Sequence, residues 1–296
     1  MKSLVSINDI DKTTILKICY RALEIKNQRF SKTLSDKIIA LLFFEPSTRT
    51  KLSFQSAILR SGAHILNFEA ENSSLKKGES LEDTIQMTSS YADLIIIRHP
   101  EEGAALRAKK VSSCPVINAG DGTNEHPTQT LLDLATILEH TGSLDGITIT
   151  LGGDLKYSRT IPSLLQALAH FDIKIILASP LLLALPDHLK TKFQDKIILE
   201  TNSLKEGLKS DYFYMTRVQK ERISSTTDIS FEEDWILNKK ICEQYANKNT
   251  KILHPLPRVN EIALDIDNSP YQLYFTQAEN GVYTRIALLE YILGVF

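Results

Sequence analysis

Cysteine is scarce in this chain. Its 296 residues include only Cys19, Cys114 and Cys242, which lie far apart and form no Cys-x-x-Cys pair. That excludes a disulfide framework, gives no zinc-ligand spacing, and suits the reducing cytoplasm. Charge of one sign is also missing: the formal net charge is −2, so bulk composition favours neither nucleic acid nor a membrane as partner. Any site for an anion must therefore be local. No apolar run approaches the ~20 residues of a membrane span. The first residues reach Asp9, Asp11 and Lys12 without an apolar core, so no signal peptide is expected. Gly-x-Gly-x-x-Gly and the Walker pattern Gly-x-x-x-x-Gly-Lys are absent. Gly152-Gly153-Asp154 is only a fragment of a dinucleotide loop, which leaves a nucleotide cofactor with little support.

What is present is ordinary globular composition at a length that allows two domains. Hydrophobic content is 43% and charged content 24%, enough for two real cores. Short apolar runs alternate with helical patterns throughout, which predicts an α/β architecture with parallel sheets. Strands are expected at 38–44, 64–68, 93–97 and 115–118 in the first half. In the second half they are expected at 147–151, 173–179, 196–200, 211–215 and 251–253. Leu131, Leu134, Ala135 and Leu138 form an i, i+3, i+4, i+7 stripe that stops near Thr141-Gly142. The domain boundary is placed there, with this helix crossing between two parallel-sheet domains. A second stripe, Ile161, Leu164, Leu165 and Leu168, comes after the first strand of the second domain, and 284–293 reads as a terminal helix. The segment 223–249, rich in Ser, Thr and charge, reads as a loop with a helix near Trp235.

In open parallel sheets, ligands bind beyond the carboxyl ends of the strands, so the residues just past each strand are diagnostic. After the first strand comes Ser47-Thr48-Arg49-Thr50, with Phe54, Ala57 and Ile58 then at helical spacing. The first turn of a helix offers backbone N–H groups without partners at the positive end of its dipole. Hydroxyls and a guanidinium added there make a site for a phosphate-sized anion. Arg98-His99 comes after the third strand, and His126-Pro127-Thr128-Gln129 lies just past the fourth. Asp154 to Thr160, including Arg159, comes after the fifth; Thr216-Arg217-Val218-Gln219 and His254-Pro255-Leu256-Pro257-Arg258 end later ones. Taken singly, each has a plain structural explanation. Ser47 can cap a helix, His126 before Pro127 can be a capping or core histidine, Gln129 can cap the same turn, and Asp154 can be an N-cap or an ion-pair partner. Capping does not explain so many arginines and histidines gathered at strand ends.

Together these segments resemble the transcarbamoylase family, in the family's order and over most of the chain, from Phe44 to Arg285. Phe-x-x-Ser-Thr-Arg-Thr with His-Pro-x-Gln carries the family resemblance. Asp154-Leu155-Lys156-Tyr157-x-Arg159-Thr160, the run Met215 to Arg222, and His254-Pro255-Leu256-Pro257-Arg258 resemble the members that use aspartate as acceptor. An ornithine-using member is expected to show His-Cys-Leu-Pro at 254–257 and acidic groups for a basic substrate.

The resemblance implies transfer of a carbamoyl group from carbamoyl phosphate to the amine of L-aspartate, giving N-carbamoyl-L-aspartate and phosphate in pyrimidine synthesis. It implies a carbamoyl-phosphate domain over 1–140, with the helix 282–296 packing back on it, and an aspartate domain over 141–281. The site is then expected in the cleft between them and at a subunit interface. By the same resemblance Ser47, Thr48, Arg49 and Thr50 hold the phosphate, while Thr50, Arg98 and His126 face the carbonyl oxygen. Gln129 and the backbone carbonyls of Pro255 and Leu256 orient the carbamoyl NH₂. Arg159, Arg217 and Gln219 bind the aspartate carboxylates. Ser73 and Lys77 reach a neighbour's site, so a homotrimer with shared sites is expected. The loop within 223–249 helps close the site. No metal, cofactor or enzyme nucleophile is implied, and the phosphate itself can take the amine proton. Separate regulatory chains are compatible with this picture. Two alternatives stay open: a transcarbamoylase for another amino acid, and a non-catalytic scaffold homologue. The second should have lost some of Arg49, Lys77, Arg98, His126 or Arg217, and all are present.

Overall fold

A computed structural model describes residues 2–28, 30–69, 77–219 and 233–296. The chain divides into two compact units, one formed by 1–139 with 279–296 and the other by 140–278. Ser73 and residues 223–232 of the segment 223–249 lie outside the described residues.

The first unit runs α1 (Lys12–Asn27), β1 (Ile38–Phe43), α2 (Thr48–Arg60), β2 (His64–Glu69), α3 (Leu81–Ser89), β3 (Leu94–His99), α4 (Ala104–Val111), β4 (Val116–Asp121) and α5 (Pro127–Thr141). Its four strands are all parallel in the order β2-β1-β3-β4. The Ile-Ile-Ala-Leu-Leu-Phe run of β1 is buried from Ile39 onward, because a central strand covered on both faces needs a continuous apolar run rather than alternation. At the edge, β2 has only exposed and half-buried residues. The residues Pro127 to Leu138 of α5 are buried all round, and Thr136 returns its hydroxyl to the Leu132 carbonyl at 2.7 Å.

The second unit runs β5 (Ile147–Gly153), α6 (Thr160–Leu168), β6 (Ile173–Ala178), α7 (Asp187–Lys192), β7 (Ile197–Thr201), α8 (Leu204–Gly207), β8 (Tyr212–Thr216), α9 (Lys239–Tyr245) and β9 (Lys251–Leu253). Its five strands are parallel in the order β7-β6-β5-β8-β9. A short 3₁₀ turn at Glu233–Trp235 stands where a helix was expected. The last helix, α10 (Tyr274–Ile292), starts ten residues before the apolar stretch that announced it. Its C-terminal part belongs to the first unit. There Arg285 Nη1 donates to Ser53 Oγ at 3.0 Å, and the buried Glu290 accepts from Arg21 Nε at 2.8 Å and Thr33 Oγ1 at 2.7 Å. Among the described residues, no helix is long and apolar enough to cross a membrane.

Both sheets contain a topological switch point. In the first, the chain moves outward from β1 to β2, then returns to the other side of β1 with β3. In the second it moves from β5 through β6 to β7, then returns beside β5 with β8. Crevices open at the carboxyl ends of such strand pairs, because the connections leave in opposite directions. The strands that matter are therefore β1 with β3, and β5 with β8.

Candidate active site

At the first switch point, Phe43 pairs with Arg98, and the Phe44 N–H donates to the Arg98 carbonyl at 2.8 Å. Arg98 is thus the penultimate residue of β3 rather than part of the loop after it. The chain then enters α2 directly, with Ser47 as its N-cap residue. The Ser47 side chain makes no capping bond. By contrast Asp11 and Ser80, at the starts of α1 and α3, accept from the N–H groups of Thr14 and Asp83. The capping explanation for Ser47 is therefore not the one the fold uses. Thr48 and Arg49 are exposed at the same turn, and Thr50 faces inward.

Arg98 is 8% exposed, and two acceptors aim its guanidinium. Nη1 donates to the Ala119 carbonyl at 3.1 Å, and Nη2 pairs with Glu45 Oε1 at 2.8 Å. Glu45 belongs to the same strand–helix turn, so one carboxylate ties the two switch-point strands together. A second buried cation stands in this unit: Arg285, stacked 4.8 Å from the Phe54 ring. Burial pushes its guanidinium down to about 10, which leaves it charged at neutral pH.

The Gly120-Asp121-Gly122 turn is structural. Asp121 accepts from Asn118 Nδ2 at 2.8 Å and from the N–H groups of Gly103 and Glu125. That network delivers His126, 5% exposed, to the start of α5 with Pro127 at its first position. Gln129 does not cap the turn. Its Nε2 donates to Asp133 Oδ1 at 2.8 Å. The amide is therefore turned with its carbonyl oxygen away from that carboxylate, which suits an incoming NH₂ donor.

At the second switch point, β5 and β8 approach too closely for side chains. A Cβ on Gly152 would lie 2.4 Å from the Phe213 ring, and one on Gly153 (φ +91°) 2.1 Å from the Thr216 carbonyl. These glycines serve strand packing, which removes the dinucleotide-loop reading. Asp154 comes next and is fully buried. Its Oδ1 accepts from the N–H groups of Lys156 at 3.2 Å and Tyr157 at 2.9 Å, and its Oδ2 from Gln219 at 2.9 Å. One carboxylate fastens both loops, the one carrying Arg159 and the one carrying Arg217 and Gln219. Arg159 and Arg217 are half-buried, and Arg217 Nη1 donates to the Val218 carbonyl at 3.1 Å. Ser158, in the variable position of the motif, is buried 3.0 Å from the Thr160 hydroxyl.

Of the arginines at strand ends, Arg258 proves different. Its guanidinium forms a two-pronged ion pair with Asp267 and also donates to the Tyr274 hydroxyl at 2.9 Å, a structural clamp within the second unit. Pro255 and Leu256 are half-buried, and Leu256 has φ +54°. Lys77 is exposed. Sequence reasoning missed the supporting acids Glu45, Asp133 and Glu261. Only Glu45, inside the motif itself, carried a signal that could have found it.

The matching families describe the same two halves. Residues 2–139 match the aspartate/ornithine carbamoyltransferase carbamoyl-P binding domain, and 145–292 match the aspartate/ornithine carbamoyltransferase Asp/Orn binding domain. The chain belongs to the aspartate/ornithine carbamoyltransferase family. Among the relatives of this carbamoyltransferase is the aspartate carbamoyltransferase catalytic subunit of Chromobacterium violaceum, 45% identical over 99% of this chain and 98% of the relative. The corresponding subunit of Thermoplasma volcanium is 46% identical over 99% and 98%. The aspartate transcarbamoylase of Trypanosoma cruzi, in complex with N-(phosphonacetyl)-L-aspartic acid, has a TM-score of 0.89 at 37% identity, covering 97% of this chain and 94% of that one. Its complex with carbamoyl aspartate and phosphate has a TM-score of 0.90 at 36% identity, with the same coverage.

Proposed function

We propose that this carbamoyltransferase moves the carbamoyl group of carbamoyl phosphate to the amine of L-aspartate, forming N-carbamoyl-L-aspartate and phosphate for pyrimidine synthesis. The observation that carries this reading is that each unit has a switch point furnished with its own set of polar groups. One is built for a phosphate-sized anion by an uncapped Ser47 beside Arg98. The other presents Arg217 and Gln219, held by Asp154, with Arg159 on the adjoining loop. Two arginines suit a dicarboxylate, because each can meet a carboxylate through two parallel charge-assisted hydrogen bonds. They oppose a basic acceptor such as ornithine.

The first unit binds carbamoyl phosphate, and the second binds aspartate. Ser47, Thr48, Arg49 and Thr50 hold the phosphate with the N–H groups of the first turn of α2. As the amine attacks, negative charge grows on the carbonyl oxygen, and Thr50, Arg98 and His126 face it. Donors already in place cost no reorganisation at the transition state, which makes such stabilisation the largest single catalytic effect in many enzymes. Gln129 and the carbonyls of Pro255 and Leu256 accept from the carbamoyl NH₂ and fix the plane of attack. The departing phosphate takes the amine proton. The thiols play no part: burial pushes those of Cys19 and Cys242 up to about 12. All three cysteines are buried and reduced, which suits a cytoplasmic enzyme.

The working unit is a homotrimer in which Ser73 and Lys77 complete a neighbour's site. Formation of N-carbamoylaspartate by the purified chain, with aspartate and ornithine offered in parallel, tests the reaction. Activity with ornithine alone overturns the acceptor assignment. Mixing Lys77→Ala and Arg98→Ala chains tests sharing, since a mixed trimer can hold one site with both groups intact. Activity should reappear after subunit exchange, and mixed trimers that stay inactive overturn the shared site.

A further inference from the structure

One buried titratable side chain has no task in this scheme: His254, at the end of β9 and 2% exposed. Its ring makes two hydrogen bonds of opposite sense. Nε2 lies 2.7 Å from Glu261 Oε1, and Nδ1 lies 2.7 Å from the backbone N of Leu256. A backbone N–H can only donate, so Nδ1 carries a lone pair and the single ring proton sits on Nε2, facing Glu261. An imidazolium would set two N–H groups against each other at that distance. Glu261 in turn is fully buried and accepts from His254 and from the N–H groups of Val259 and Asn260 at 3.2 Å, a donor set that calls for an ionised carboxylate.

The bond from Leu256 has a backbone consequence. Leu256 is the only non-glycine residue of positive φ among the described residues. A side-chain-bearing residue stays in that region only where its surroundings over-determine it. Here they do so from both sides: Nδ1 holds the Leu256 N–H, and the His254 N–H donates to Gln277 Oε1 at 2.8 Å.

We propose that His254, as the neutral tautomer whose Nε2 proton faces Glu261, is a positioning residue for carbamoyl transfer. Its Nδ1 fixes the Leu256 peptide and so aims the carbonyls of Pro255 and Leu256 at the carbamoyl NH₂. This rests on the role given to those two carbonyls above. The charged groups that act on the ring agree with the assignment. Burial first, then Arg217 and Arg258, work against a second proton, and only Glu261 favours one, so the ring stays neutral below its ordinary 6.5.

Three variants of the full chain test the idea. Asn and Leu have nearly the same shape, but only Asn offers an acceptor to the N–H two residues on, the Asx-turn bond. His254→Leu should lower kcat by roughly 10²-fold, the scale on which a misaimed transition-state contact is felt. His254→Asn should recover most of that loss. A packing role predicts the opposite order, with the bulky His254→Phe active and the smaller Asn poor. Equal activity of the Leu and Asn variants, or a more active Phe variant, overturns the proposal. Should the Leu variant fail to fold, the Phe variant takes its place, since it too lacks the acceptor. Nitrogen-15 spectra of the histidines add an independent readout. His254 should show one protonated and one bare nitrogen at neutral pH, and an imidazolium there overturns the assignment. If the wild-type chain makes no carbamoylaspartate, the proposed function itself fails. An active wild type with an equally active Leu variant removes only the role of His254.

Discussion

The two units hold their functional groups by different means. In the first, the backbone does most of the work: a helix begins where a central strand ends and sets Ser47 to Thr50, while Arg98 takes its place on a strand and needs only Glu45 and the Ala119 carbonyl to aim its guanidinium. In the second, buried carboxylates grip irregular loops. Asp154 fastens two of them, and Glu261 sets the third through His254. The difference reflects the ligands each unit is proposed to take. A phosphate group is nearly spherical, and a helix N-terminus meets it from almost any approach. An amino acid with two carboxylates needs several donors at fixed separations, which loops supply only when something pins them.

Asp154→Ala is the harshest test of that contrast. It leaves three backbone N–H groups without their acceptor, and each buried unsatisfied donor costs about 1–3 kcal/mol. The second unit should lose about 3–5 kcal/mol of stability, seen as earlier hydrogen exchange in 140–278 while the first unit keeps its protection. Uniform loss across both units would mean that the carboxylate does not act locally.

Arg217→Ala should cost about 2–4 kcal/mol in aspartate use, as expected for an unpaired buried carboxylate. Carbamoyl phosphate binding, measured by calorimetry, should scarcely change. An unaltered aspartate dependence in steady-state kinetics would refute the division of substrates between the units.

Acid should separate the units next. Burial lowers the pKa of His254, so the unfolded chain takes up its proton at the ordinary 6.5 while the folded chain resists. The folded state therefore loses stability as pH falls below that value. Glu261, also lowered despite its burial because His254 and backbone N–H groups hold it, adds a further loss below its ordinary 4.5. In the first unit, burial lowers the half-buried His99, but less of that ring is withdrawn from water. Denaturant midpoints between about pH 7 and pH 5 should fall, and the fall should flatten in His254→Phe. An unflattened profile would place the titration elsewhere.

The smallest effect sharpens the first unit's side of the contrast. Ser80→Ala removes an N-cap and should cost about 1 kcal/mol of stability. Ser47→Ala removes none, so thermal denaturation should move by less than about 0.5 kcal/mol, while affinity for phosphate drops. A loss as large as that of Ser80→Ala would show that Ser47 is a cap after all.

Legibility in the sequence divides along the same line. The run Ile38 to Phe43 and the donors after it are contiguous, so strand, helix start and anion site could be read together. The strands were placed to within a residue or two except at their carboxyl ends. There Arg98, His99, Gly120 and Asp121 proved to lie inside β3 and β4, because polar residues continue a ladder as readily as apolar ones once neighbours supply the pairing. The start of α10 was missed because 274–283 carries no clean apolar stripe. Arg258 read as one more strand-end cation, yet Asp267, nine residues on, claims it.

The sequence by itself determined the α/β alternation, the helix carrying the Leu131–Leu138 stripe and the order of the chemistry-bearing segments, since periodicity and short motifs are local properties. Only the tertiary structure decided which strands are neighbours, and with that where the switch points fall. It also decided that Gly152 and Gly153 serve close packing, that Ser47 is not spent as a cap, and that Asp154, Glu45 and Glu261 stand behind the groups proposed to meet substrate. A buried carboxylate looks in sequence like any surface acid. What distinguishes it is the set of N–H groups brought to it from distant segments, and that set exists only in the fold.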